Sequence, residues 1–198
     1  MHMNEEEQER MLKAAHSLFS TKGFSGTSVK EIAGQAEVSE VSAARTYPSL
    51  MDLFIDSFSE GFIQQLETTS VEVHPLTNQK PAEMIYTYLW NRMKEFTSMD
   101  KSVFREMMNS LFPAMENDAE NRRKMIGIDF MLVDEMIVLL NDMKEKKLLS
   151  EGFNANQAAE IIYSSLAFEF LLYVYEEEVS LEIFLDGVKK KLDFIIER

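Results

Sequence analysis

The chain contains no cysteine, which excludes a disulfide scaffold, a thiolate metal site and thiol redox chemistry. Its three histidines, His2, His16 and His74, lie far apart and form no His-x-x-His, His-x-x-x-His or Glu-x-x-His pair, so no metal is expected. No nucleophile–base arrangement or phosphate loop is present, and neither an enzyme nor a cofactor is expected. Seven glycines and four prolines in 198 residues leave little turn material. Strand alternation is confined to Val71-Glu72-Val73. No uninterrupted apolar run reaches the ~18 residues that a membrane span needs. The acidic stretch from Met1 to Arg10 does not read as a signal peptide. These features predict a cytoplasmic protein with no membrane partner.

Positive charge is also scarce. There are 20 Lys and Arg against 34 Asp and Glu, for a net charge of −14. Residues 1–55 hold five cations, Arg10, Lys13, Lys22, Lys30 and Arg45, against eight carboxylates. Nucleic-acid binders normally carry a basic patch, and this chain shows none at the level of whole segments.

What is abundant is apolar residues at helical spacing. A first helix is predicted over about Glu5 to Lys22, with Met11, Leu12, Ala15, Leu18 and Phe19 on one side and Lys22-Gly23 ending it. Ser28 opens a short helix to about Gln35 with capping-box spacing to Glu31. Ser39 opens another to about Thr46, and Pro48 breaks the chain. A helix beginning at Ser49 carries Phe54, Phe58, Phe62 and Leu66, and the stretch from His74 to Lys80 reads as a loop. Further helices follow from Pro81, from Asp100 to a break at Pro113, and over about 125–148. Between them, Met115 to Lys124 reads as a short helix and a connection. Two last helices span about 155–175 and 180–197. The expectation is an all-α protein of about nine helices. Residues 1–48 would form one domain and 49–198 a larger bundle.

The helix pair at 28–46 has the dimensions of a helix-turn-helix, whose second helix lies in the DNA major groove. Ala33 supplies a small contact at the crossing, while Ile32 and Val38 anchor the pair. The competing reading is an ordinary tight helix pair in a small helical domain.

At this point the residues resemble a family. Ala14-Ala15, Leu18-Phe19, Lys22-Gly23-Phe24, Thr27-Ser28-Val29, Ile32-Ala33, Ala36, Val38-Ser39 and Ser49 with Leu53 fall in the order of the TetR-type transcriptional regulators. The resemblance covers about residues 10–54. It implies an all-α homodimer in which three N-terminal helices bind an operator and the larger domain dimerises and takes a small-molecule effector. Carried onto this chain, it suggests DNA contacts from Thr27, Ser28, Lys30, Ser39, Ser42, Arg45 and Thr46, with Arg45 the candidate for reading guanine. Several positions depart from the pattern. Glu37 stands where the turn usually has glycine, Val41-Ser42 where the recognition helix usually begins with glycine-threonine, and Ala44 where a tyrosine commonly meets phosphate. Leu50 replaces the lysine usually found inside the next helix. An alternative is therefore a member with weak or no DNA binding that sequesters a ligand or protein.

The C-terminal part holds most of the 14 methionines and 14 phenylalanines. Tyr88, Phe96, Met108, Phe112 and Phe130 are the expected walls of a pocket for an apolar or amphipathic effector, ordinary core packing being the competing reading. Arg92 and Arg105 would either orient an anion there or be surface cations. The helix at about 155–175 is apolar almost all round and must be covered on every side. With the last helix it is the expected homodimer interface.

Overall fold

The computed structural model describes residues 3–68, 79–97 and 99–197, with the side chains of 61–68, 95, 96, 114 and 117 excepted. Part of the expected loop at 74–80, the Val71–Val73 alternation and the side chains of Phe62, Leu66 and Phe96 thus lie outside the described residues. Among those described, the chain forms nine helices and no strand: α1 (Glu5–Lys22), α2 (Val29–Gln35), α3 (Glu40–Thr46), α4 (Leu50–Thr68), α5 (Pro81–Thr97), α6 (Lys101–Asn117), α7 (Ala119–Glu145), α8 (Ala155–Tyr175) and α9 (Leu181–Ile196).

Two compact units emerge. The first comprises residues 1–68 and 99–128, so it holds α1 to α4, α6 and the start of α7. The second comprises 69–98 and 129–198, with α5, the rest of α7, α8 and α9.

In the first unit, α1 starts on a reciprocal capping box. The Glu7 amide donates to Asn4 Oδ1 at 2.8 Å and the Asn4 amide to Glu7 Oε2 at 2.9 Å. One face of α1 then buries Met11, Ala15, Leu18 and Phe19. Phe19, Phe24 and Phe54 pack edge-on and stacked with centroids 5.2 to 5.8 Å apart, joining α1, the following loop and α4. Asn121 Nδ2 on α7 donates to Asp52 at 2.9 Å, and Lys124 pairs with Asp56 at 2.7 Å.

Here the structure corrects the sequence reading. Pro113 does not end α6, which continues to Asn117. The proline nitrogen cannot donate to the carbonyl four residues back, at a cost of about 3 kcal/mol. Met107 and Leu111 before the proline are buried in the core of this unit, and Met115 after it packs half-buried against that core, which holds the helix across the lesion. The connection expected over Met115–Lys124 reduces to Asp118, in extended conformation (φ −123°, ψ 105°), before α7 begins.

In the second unit, Phe184, Val188 and Leu192 of α9 are buried with Ile162 and Val174 of α8 and Ile85 of α5. Gly187 permits the α8–α9 approach, because a Cβ there would stand 2.7 Å from Glu169 Oε2. Glu169 is itself buried and paired with Lys191. By length and composition α8 could cross a membrane, an 18-residue window of it having a mean hydropathy of 1.3, although Glu160 and Glu169 interrupt it.

Candidate nucleic-acid interface

The α2–α3 pair is anchored from within. Ile32, Ala33, Ala36, Val38, Ala43 and Tyr47 are buried in the core shared with α1. Ala33 is almost fully buried. The turn is closed by hydrogen bonds from the Val38 amide to the Ala33 carbonyl (2.9 Å) and from the Glu37 amide to Gly34 (3.3 Å). That pattern places the first residue past the α2 cap in the left-handed region, and Glu37 is there with φ 55°. Arg10 of α1 reaches this end of α2 and donates from Nε to the Ala36 carbonyl at 3.0 Å.

With Ala43 and Tyr47 facing inward, the rest of α3 faces out. Ser39, Glu40, Val41, Ala44 and Arg45 are exposed, and Ser42 and Thr46 are half-buried. Ser39 occupies the N-cap position as expected, but its hydroxyl makes no capping bond. The Thr46 hydroxyl donates to the Ser42 carbonyl at 3.1 Å, within its own helix.

The loop before α2 is held at both ends. Gly23 has φ 75° and ψ 175°, a conformation open essentially only to glycine. Thr27 is buried, its hydroxyl donating to the Gly23 carbonyl at 2.8 Å and its amide to Phe24 at 3.2 Å. Both of its polar groups are therefore engaged inside the loop. Ser28 is exposed and caps α2 by accepting from the Glu31 amide. The Ser25 amide donates to Glu106 Oε1 of α6 at 2.6 Å. Hydrogen bonds from the Ser25 hydroxyl and amide hold the Glu106 carboxyl below its ordinary range. Glu106 was invisible to sequence reasoning, since nothing local marks a surface glutamate as the partner of a loop 81 residues away.

Charge is distributed unusually. Of the five cations in residues 1–55, four are ion-paired with glutamates: Arg10 with Glu6 (3.2 Å), Lys13 with Glu9 (2.5 Å), Lys22 with Glu31, and Lys30 with Glu40 (3.3 Å). Arg45 has no ion-pair partner among the described residues.

The expected effector residues divide between the two units. Tyr88 is buried in the second unit, where Phe130 is 65% exposed. In the first unit Met108 packs half-buried against the core, and Phe112 is exposed. Sequence reasoning missed a polar cluster in the second unit. Arg92 is buried, not a surface cation, and pairs through Nη2 with Glu135 at 2.9 Å. The Tyr88 hydroxyl donates to the same carboxylate at 2.5 Å, and the guanidinium lies 5.3 Å from the Tyr88 ring centroid. Burial, reinforced by the Glu135 bond, raises the Tyr88 pKa, so its hydroxyl stays protonated. Beside α5, two apolar clefts of about 10 Å³ each are lined by Leu89, Trp90, Leu166 and Phe184, and by Leu89, Ile162 and Leu192.

Comparison with known proteins follows the same line. Residues 11–55 match the family model of the bacterial regulatory proteins, tetR family. Over the whole chain, YttP of Bacillus subtilis (strain 168), a probable HTH-type transcriptional regulator, is 22% identical across 196 aligned residues, covering 89% of this chain and 91% of that protein. A TetR-family transcriptional regulator from Mesorhizobium loti superposes with a TM-score of 0.73 at 14% identity, over 98% of this chain and 97% of that one. The Thermus thermophilus repressor FadR, solved with lauroyl-CoA, gives 0.65 at 21% identity, over 95% and 92%.

Proposed function

Because the chain belongs to the TetR family of transcriptional regulators, we propose that it is a homodimeric, ligand-responsive, cytoplasmic repressor. In this reading residues 1–48 read an operator, and residues 49–198 dimerise and bind an apolar or amphipathic effector. The observation that carries it is the division of α3: Ala43 and Tyr47 lock the helix into the core, while Arg45 stands exposed with its guanidinium available to a guanine edge. Ser39, Ser42 and Thr46 flank it, and Ser28 and Lys30 lie at the start of α2 for backbone contacts.

Dimerisation through α8 and α9 is supported by the apolar side chains these helices leave exposed: Ile161, Phe168 and Leu171 on α8, Ile183 and Phe194 on α9. Two copies of the pair make a four-helix interface with two-fold symmetry. The two α3 helices then address half-sites about one DNA turn, ~34 Å, apart. An effector acts by favouring a conformation in which that spacing is wrong. The lauroyl-CoA bound by Thermus FadR favours a ligand with an acyl-like apolar part.

The test is retention of random genomic fragments by the full-length protein at ~50 mM salt, followed by sequencing. Enrichment of a two-fold symmetric sequence is expected. No sequence-selective retention at micromolar dimer refutes the repressor reading. It would favour the alternative, a sequestering protein without DNA affinity, which Glu37, Ala44, Leu50 and the paired cations support.

A further inference from the structure

Val41 is 78% exposed, more than any other large apolar side chain among the described residues. Water penalises such exposure, and nothing in the fold requires it, since α3 is anchored from its opposite side by Ala43 and Tyr47. Val41, Ala44 and Arg45 stand at i, i+3 and i+4, so they share one face of the helix, and all three are exposed. The neighbouring Glu40 is engaged by Lys30. The outward face of α3 is therefore an apolar patch one helical turn from a single guanidinium.

A valine side chain has no donor or acceptor, so it cannot read a hydrogen-bonding base edge. The thymine 5-methyl is the apolar feature that the major groove offers. We propose that Val41 is a specificity-determining residue that reads the 5-methyl group of thymine, with Ala44 extending the contact. The proposal rests on the DNA-reading function proposed above. It also fixes spacing. Four residues of helix advance about 6 Å, and base pairs repeat every ~3.4 Å. The thymine read by Val41 and the guanine read by Arg45 thus lie within about two base-pair steps in each half-site.

The experiment uses the full-length protein and the duplex it selects most strongly from a randomised pool. Each thymine is replaced in turn by deoxyuridine, which deletes the methyl and keeps every hydrogen bond. Affinity is measured for the wild type and for Val41→Ala. At one thymine per half-site, the wild type is expected to lose about fourfold, the worth of one buried methyl. Val41→Ala, changed in both subunits, should lose about the square of that factor, ~16-fold, on the unmodified duplex and become indifferent to deoxyuridine at that position. If no duplex is selected at all, the DNA-reading function itself fails. If a duplex is selected but no deoxyuridine weakens the wild type, or if Val41→Ala keeps the same sensitivity, the thymine reading is overturned while the regulator survives. Because Val41 is exposed, the variant's circular dichroism and melting should match the wild type.

Discussion

Replacing Glu37 with glycine should make the protein more stable. Glu37 carries a Cβ in the left-handed region (φ 55°), which costs an L-residue about 1–2 kcal/mol. Glycine removes that cost but returns about 0.5–1 kcal/mol of backbone freedom to the unfolded chain. The net gain is about 0.5–1 kcal/mol. The Glu37 carboxylate also stands at the negative end of α2, so its removal adds about 0.3 kcal/mol. Glu37→Gly should therefore gain about 1 kcal/mol, or about 2–4 °C in Tm for a chain of this length. The structure supplies an internal control. Lys147, past the end of α7, has the same geometry: φ 60°, with the Leu148 amide on the Met143 carbonyl and the Lys147 amide on Lys144, both at 2.9 Å. Its cation suits that helix end, so Lys147→Gly should gain less, about 0.5 kcal/mol. Urea unfolding at one fixed protein concentration, needed because dimerisation couples to stability, would rank wild type, Glu37→Gly, Lys147→Gly and Glu37→Ala. Glu37→Ala loses the charge but keeps the Cβ. If Glu37→Gly proves no more stable than Glu37→Ala, backbone strain at this turn is refuted.

Four further outcomes are expected. Gly23→Ala should cost about 1–3 kcal/mol in the same assay, because its backbone region is closed to a Cβ and that Cβ would stand 2.7 Å from Glu106 Oε2; a neutral result refutes the loop geometry. Asp52 is held below its ordinary range although burial pushes it up, because hydrogen bonds from Asn121 and Ser49 and the nearby Lys124 outweigh burial. With Glu106, likewise lowered, it contributes stability that is present above pH ~4 and lost as pH falls through the lowered values; Asp52→Asn with Glu106→Gln should flatten the acid limb of a stability–pH curve. With Arg45 on a base edge and Lys30 as the phosphate-reaching cation, a dimer engages about two phosphates, so log K should fall with log salt at a slope of about −1.8; a slope steeper than about −4 contradicts the ion-pair pattern. Phe168→Glu, on the exposed face of α8, should halve the particle mass seen by light scattering at micromolar concentration.

The N-terminal helices were legible because their ends are written in local chemistry. Ser28 and Gly23 mark boundaries by themselves, and the apolar positions of α1 through α3 recur at a spacing that only a helix buries on one face. Pro113 misled because local propensity takes no account of Met107, Leu111 and Met115, whose packing in the core holds α6 together through the defect. Arg92 misled for a similar reason. A lone arginine with no carboxylate close before it reads as surface, and only the fold brings Glu135, 43 residues away, within 2.9 Å of it. Ser39 shows the limit from the other side: the residue type suits a cap, and the position is the cap, yet the hydroxyl is left exposed.

An acidic chain is not thereby a poor DNA reader. Non-specific affinity comes almost wholly from cations displacing counterions at phosphates. Here Lys22 and Lys30 already face Glu31 and Glu40. Exposed pairs of this kind are worth at most about 1 kcal/mol each, so a phosphate can exchange in, but the gain over the existing partner is small. The acidic surroundings therefore reduce binding to arbitrary sequence more than binding to a site that satisfies α3. What decides occupancy in a genome is the ratio of specific to non-specific affinity, because competing sites outnumber the operator by about a million or more. A surface with one exposed guanidinium, one exposed valine and few unpaired cations lowers the denominator of that ratio. The departures from the family pattern, Ala44 and Leu50 in place of phosphate-reaching side chains, act in the same direction as the ion pairs.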